Sequence, residues 1–173
     1  MMNFVLAGGC FWCLDSSFMQ FAGVIDVEVG YMGGSLDNPG YEAVCGGNTG
    51  HAEVARIVFD ETVIPAEVIL DIFFTIHDPR QLNRQGNDIG TQYRSAMFYA
   101  DDSQKGLFEA ALTRAADHWD GEIVTELAPM ERFWVGEEYH QDFFAKNPNQ
   151  GYCNAVVSPK MAKARAGFAT YLR

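Results

Sequence analysis

Cys10 and Cys13 stand in the run Gly8-Gly9-Cys10-Phe11-Trp12-Cys13. A cysteine pair at this spacing can supply a nucleophilic thiolate, exchange a disulfide, or hold half of a zinc site. Zinc is disfavoured, because a structural site wants a second close pair and Cys45, His51 and Cys153 are scattered singly. Phe11 and Trp12, two bulky aromatics between the cysteines, suit an apolar pocket for a small substrate group. A general Cys-x-x-Cys dithiol-disulfide oxidoreductase stands as the alternative.

The elements that must position these thiols follow from hydrophobic spacing. Phe4-Val5-Leu6-Ala7 predicts a strand, Gly8-Gly9 breaks it, and 14–21 carries apolar residues at helical spacing. Cys10 thus falls on a strand-to-helix turn, where unpaired N–H groups and the positive end of the helix dipole lower a thiol's pKa. A second strand is predicted at 24–29. The long loop after it, 30–50, is rich in turn residues yet holds Tyr31, Tyr41, Glu42 and Cys45, the composition of a functional loop. Further strands are predicted at 53–59, 96–99 and 123–127. Helices are predicted at 67–77 after Pro65, from Asp101 or Ser103 to Trp119, at 137–145, and from Pro159 onward. This alternation predicts an α/β or α+β sheet covered by helices.

The 173 residues, 48% hydrophobic and 13% aromatic, exclude a disordered chain and predict one domain over 1–173. No apolar run reaches the ~18 residues of a membrane span. A formal charge of -11 repels nucleic acid and anionic membranes, leaving small neutral or protein substrates. The first apolar run is too short for a signal-peptide core, so a cytoplasmic location and reduced cysteines are expected.

Beyond Gly9-Cys10-Phe11-Trp12, six further segments occur in a telling order: Gly30-Tyr31-Met32-Gly33-Gly34, Thr49-Gly50-His51-Ala52-Glu53, His77-Asp78-Pro79, Arg84-Gln85-Gly86-Asn87-Asp88, Gly90-Thr91-Gln92-Tyr93-Arg94-Ser95, and Asn147-Pro148 ahead of Gly151-Tyr152-Cys153. Together they resemble the A-type peptide methionine sulfoxide reductases over nearly the whole chain. The resemblance implies an α+β two-layer sandwich around a mixed sheet with a ferredoxin-like βαβ plait. It also implies reduction of methionine (S)-sulfoxide, free or in oxidised proteins, to methionine.

The resemblance extends to individual residues. Cys10 would attack the sulfoxide sulfur, and Glu53 would protonate the departing oxygen. Tyr41 and Tyr93 would donate to that oxygen, Asp88 would be a polar partner, and Phe11 and Trp12 would surround the methyl group. The Cys10 sulfenic acid would be resolved by Cys153, in a mobile-looking tail, or by Cys13. Cys153 is preferred because adjacent helical cysteines must distort to bond. Thioredoxin would reduce the disulfide, with no bound cofactor or metal, in a monomer. Cys45 is expected to be a bystander, and the four histidines structural or surface residues. A sulfoxide-binding module without turnover is a further alternative, although Cys10 and Glu53 are both present.

Overall fold

The computed structural model describes all 173 residues. It opens with β1 (Met2–Ala7), in which Phe4, Val5, Leu6 and Ala7 are all buried because the strand is central and covered on both faces. Then come α1 (Phe11–Phe18), β2 (Val24–Met32), α2 (Tyr41–Cys45), β3 (Ala52–Phe59) and α3 (Ala66–Ile76). A small hairpin, β4 (Arg84–Gln85) and β5 (Asp88–Ile89), precedes β6 (Ala96–Tyr99) and α4 (Asp102–His118), which Asp101 caps by accepting from the Gln104 N–H at 2.8 Å. The chain finishes through β7 (Glu126–Pro129), β8 (Trp134–Val135), α5 (Phe143–Lys146) and α6 (Ser158–Gly167).

The main sheet has the order β7-β6-β1-β3-β2-β8. Its four inner strands, β6-β1-β3-β2, pair antiparallel, with α1 linking β1 to β2 and α3 linking β3 to β6. These are the two split βαβ units of a ferredoxin-like plait. At one edge β7 adds in parallel to β6, and at the other β8 adds antiparallel to β2, so the sheet is mixed. Residues alternate across it. Phe4, Leu6, Ala55, Ile57 and Phe59 face a core shared with Phe11, Leu14, Phe73 and Phe108 from the helices. Val5, Ala7, Val54 and Phe98 face the other way, under Ala128, Met130 and Phe133. The fold is thus α+β, with the helical layer on one side.

Three local expectations are corrected. The strand predicted at 123–127 begins only at Glu126, because the Val124 N–H is taken by the Pro79 carbonyl outside the sheet. The helix predicted at 137–145 is broken into a 3₁₀ turn, Glu138–His140, and α5, because Asp142 adopts a left-handed backbone (φ 55) and gives its N–H to the buried Asp15 carboxyl at 2.8 Å. The tail cysteine is also not in a mobile segment. Cys153 is fully buried and opens a π-helical turn, Cys153–Val157, that runs into α6.

Candidate active site

Gly8 and Gly9 end β1, and Gly9 turns the chain with φ 87, a conformation that L side chains rarely adopt. A Cβ there would also sit 2.8 Å from the Gln85 side chain. The turn delivers Cys10 as the N-cap of α1, in an extended conformation, with Phe11 as the first helical residue. Cys10 is 8% exposed and lines a cavity of about 230 Å³ with Trp12, Tyr41, Asp88, Tyr93, Gln150 and Tyr152. A larger cavity of about 450 Å³, lined by Phe74, Trp119, Phe168 and Lys163, lies apart from it and contains no thiol.

Glu53 reaches the site from the start of β3, directly across from Tyr31 of β2. It is 1% exposed, its Oε1 accepts the Phe11 N–H at 3.1 Å, and its Oε2 has no partner. Burial pushes its pKa up to about 8, Asp88 and Cys13 add to the rise, and the Phe11 N–H opposes it. At neutral pH this carboxyl carries a proton beside a cysteine, which is the state a general acid needs.

The expected effect of the helix start on Cys10 is outweighed. Burial pushes the thiol well above its ordinary range, and the hydrogen bond with Cys13 and the Glu53 charge act in the same direction. Only the Trp12 N–H lowers it. The dipole of so short a helix cannot offset the desolvation of a buried anion.

Tyr41 begins α2, and Glu137 anchors it there by accepting the Tyr41 N–H at 3.0 Å while also accepting the Tyr31 hydroxyl at 2.8 Å. Tyr93 arrives on the 3₁₀ turn Thr91–Tyr93. Burial raises both phenols, so both keep their protons and can donate. Cys45 ends α2, and burial pushes its thiol up while the two phenols act in the opposite direction. Asp88, on β5, accepts the Tyr152 hydroxyl at 2.5 Å.

The two aromatics after Cys10 divide their work. Trp12 lines the cavity and stacks on Phe143 with ring centroids 3.7 Å apart. Phe11 is fully buried behind it, against Tyr31, Tyr41 and His140, so its contribution is the N–H on Glu53 and the backing of Tyr41. The Trp12 indole N–H donates to His140 Nδ1 at 3.0 Å. His140 is fully buried, burial lowers its pKa, and its Nε2 is unpartnered. His51 and His77 serve structure. The first ties Gly34 to Leu36 in the long loop, and the second joins Phe73 to Ser95.

His140, Glu137, Tyr152 and Gln150 are therefore site residues that spacing did not reveal. Each is held there by chain segments that meet only in the fold. The sole sequence signal was Tyr152, beside Cys153 in the Gly151-Tyr152-Cys153 motif.

A buried thiol at a helix start and two protonated phenols line one cavity of the plait, with a buried carboxyl held by the backbone next to the thiol, an arrangement suited to thiol chemistry with proton donors at hand. The comparisons make the class specific. The family model for peptide methionine sulfoxide reductase matches residues 2–171, and the chain belongs to that family. The peptide methionine sulfoxide reductase MsrA of Clavibacter michiganensis subsp. michiganensis is 61% identical over 173 residues, covering 100% of this chain and 99% of its own. The MsrA of Pseudarthrobacter chlorophenolicus is 55% identical over 172 residues, 99% of each. Among solved structures, Mxr1 from Saccharomyces cerevisiae in reduced form superposes with a TM-score of 0.83 at 34% identity, over 88% of each chain. Methionine sulfoxide reductase A of Corynebacterium diphtheriae gives 0.77 at 33%, over 88% of this chain and 77% of that one. The protein is an oxidoreductase of this kind.

Proposed function

We propose that this enzyme reduces methionine (S)-sulfoxide, free or in proteins, by attack of Cys10 on the sulfoxide sulfur. Glu53 gives its proton to the oxygen as the S–O bond weakens, with Tyr41 and Tyr93 donating to the same oxygen. Methionine leaves, and the oxygen remains on Cys10 as a sulfenic acid. Trp12, backed by Phe11, meets the methyl group, and Asp88 orients polar atoms through Tyr152. Cys153 or Cys13 converts the sulfenic acid to a disulfide, which thioredoxin reduces. Mxr1, 34% identical to this chain, is also found in complex with Trx2, which supports thioredoxin as the reductant. No bound cofactor is required. We take the working unit to be residues 1–173 as one catalytic domain, a monomer in the reducing cytoplasm.

The observation that carries this mechanism is the Glu53 carboxyl. It is buried, protonated near neutrality, and held by the backbone of the residue next to Cys10. Separated R and S epimers of a methyl sulfoxide substrate, with dithiothreitol as reductant, test it. The S epimer alone should turn over, and Cys10→Ser should abolish the reaction. The wild type should lose rate above pH ~8, and Glu53→Gln should lower kcat by about 10²–10⁴ and lack that loss. Reduction of disulfides with neither epimer consumed would replace the mechanism with dithiol exchange.

A further inference from the structure

We propose that Glu137 is a positioning residue for the reaction, fixing Tyr41 at the oxygen side of the cavity from a segment remote in the chain. The inference rests on the donor role given to Tyr41 above. Tyr41 opens α2, an element of five residues in which Val44 alone is fully buried. A helix this short has no stability of its own, and one buried side chain cannot set its angle and register. Its N-cap is Gly40, which has no side chain to accept the free N–H groups of the first turn. Glu137, 96 residues further on, supplies that acceptor: Oε2 takes the Tyr41 N–H at 3.0 Å while Oε1 takes the Tyr31 hydroxyl at 2.8 Å.

The acceptor is itself braced against the sheet. Tyr31 is fully buried in β2, opposite Glu53. Glu137 lies in a segment fastened to β2 on either side of it. Before it, the Gly136 N–H donates to the Val29 carbonyl at 2.9 Å. After it, the Gln141 side chain accepts the Val29 N–H and donates to the Val29 carbonyl, both at 2.9 Å. Burial works against the Glu137 charge, but the Tyr41 N–H and the Tyr31 hydroxyl hold its carboxyl below the ordinary range. It therefore accepts on both oxygens at a pH where Glu53 still carries its proton. The two carboxyls divide the work: Glu53 donates, and Glu137 only accepts.

The tie acts on one side of the substrate. The Tyr41 ring packs on Phe11, with centroids 6.5 Å apart and planes 18° apart, and on His140, with centroids 4.4 Å apart. From there it lines the cavity beside Cys10 and Tyr93. Releasing the Tyr41 backbone displaces a donor to the departing oxygen, which counts in the transition state, and leaves Trp12 against the methyl group. The chemical step should slow while affinity for the sulfoxide holds.

The test measures methionine release in a single turnover of the reduced full-length protein across a range of methionine (S)-sulfoxide concentrations, which separates the chemical rate from affinity. Glu137→Ala should slow release about tenfold with half-saturation unchanged within about twofold. Glu137→Gln should recover to within about threefold of the wild type, because its amide oxygen can accept the Tyr41 N–H and its NH₂ can donate to the Tyr31 oxygen. Tyr41→Phe should itself slow release about 10- to 100-fold. Adding Glu137→Ala to it should cost less than about twofold more, since both act through one group. If circular dichroism shows Glu137→Ala unfolded, Glu137→Asp, too short to span both partners, takes its place, with about a fivefold loss and the same dependence on Tyr41. A full further loss on top of Tyr41→Phe, a wild-type rate in folded Glu137→Ala, a Glu137→Gln as slow as Glu137→Ala, or a change confined to half-saturation overturns the positioning role and leaves the reductase mechanism standing. A wild-type rate in Tyr41→Phe would overturn the Tyr41 donor role and this inference with it.

Discussion

At the scale of single residues, the site depends on two groups that burial keeps uncharged. Glu53 has its pKa raised from 4.5 to about 8, so the folded state binds its proton more tightly than the unfolded chain does. Its stabilising contribution is complete below pH ~4.5 and is lost as pH rises to ~8. At about 1.4 kcal/mol per unit the loss is roughly 5 kcal/mol. Denaturant unfolding of Glu53→Gln across pH 4 to 9 should therefore lack this slope, leaving an inactive variant more stable than the wild type at pH 8. His140 is the second group. It accepts the Trp12 indole N–H, so its neutral ring carries the proton on Nε2. His140→Phe should strand that indole N–H, raise KM by about 5- to 10-fold, and shift the Trp12 fluorescence. His140→Asn, which keeps an acceptor, should recover part of the loss.

At the scale of elements, short ties hold the site together. Gln85 on β4 bonds the backbone N–H and carbonyl of Asp78, both at 3.0 Å, and so fixes the hairpin that carries Asp88 beside the turn at Gly9. Gly9→Ala would force a side chain into a positive-φ position and against Gln85. It should cost about 2 kcal/mol, seen as a fall of ~4–8 °C in Tm, and should weaken activity by moving Asp88. A second tie runs from Asp15 on α1 to the Asp142 N–H ahead of α5. Burial raises Asp15 to about 7, so its contribution too is complete below pH ~4 and lost by pH ~7. Asp15→Asn keeps the acceptor without the charge. Its Tm should exceed that of the wild type at pH 8 and converge with it near pH 4.

At the scale of the whole molecule, the C-terminus closes the plait. Leu172 forms a β-bridge with Phe21, the Ala22 N–H donates to the Tyr171 carbonyl at 2.8 Å, and the Arg173 side chain binds the Met19 and Val24 carbonyls. These contacts hold α6, and with it the π-helical turn bearing Cys153, against α1. Ending the chain at Gly167 should lower Tm by about 6 °C and speed alkylation of Cys153 in the reduced protein, measured by mass spectrometry. The net charge of -11 opposes compaction everywhere, so moderate salt should raise Tm slightly.

Local order settles some of this before folding. The apolar run and paired glycines set Cys10 at a strand end, the apolar, β-branched run at 53–59 set Glu53 at a strand start, and both held because those segments read the same in isolation as in the sheet. The ordered motifs identified the family for a similar reason, being short and contiguous. The protonation states were not legible, because desolvation depends on what other segments pack over a group. That is why Cys10 goes up where its helix position alone said down, and why His140 enters the site unannounced. The break at Asp142 is likewise set by a carboxyl from α1, remote in the chain. The sequence by itself determined the four inner strands, most helices, the thiols and the family, through periodicity and local turn chemistry. Tertiary structure alone decided which groups are dry and which keep their protons, because those depend on contacts between segments distant in the chain.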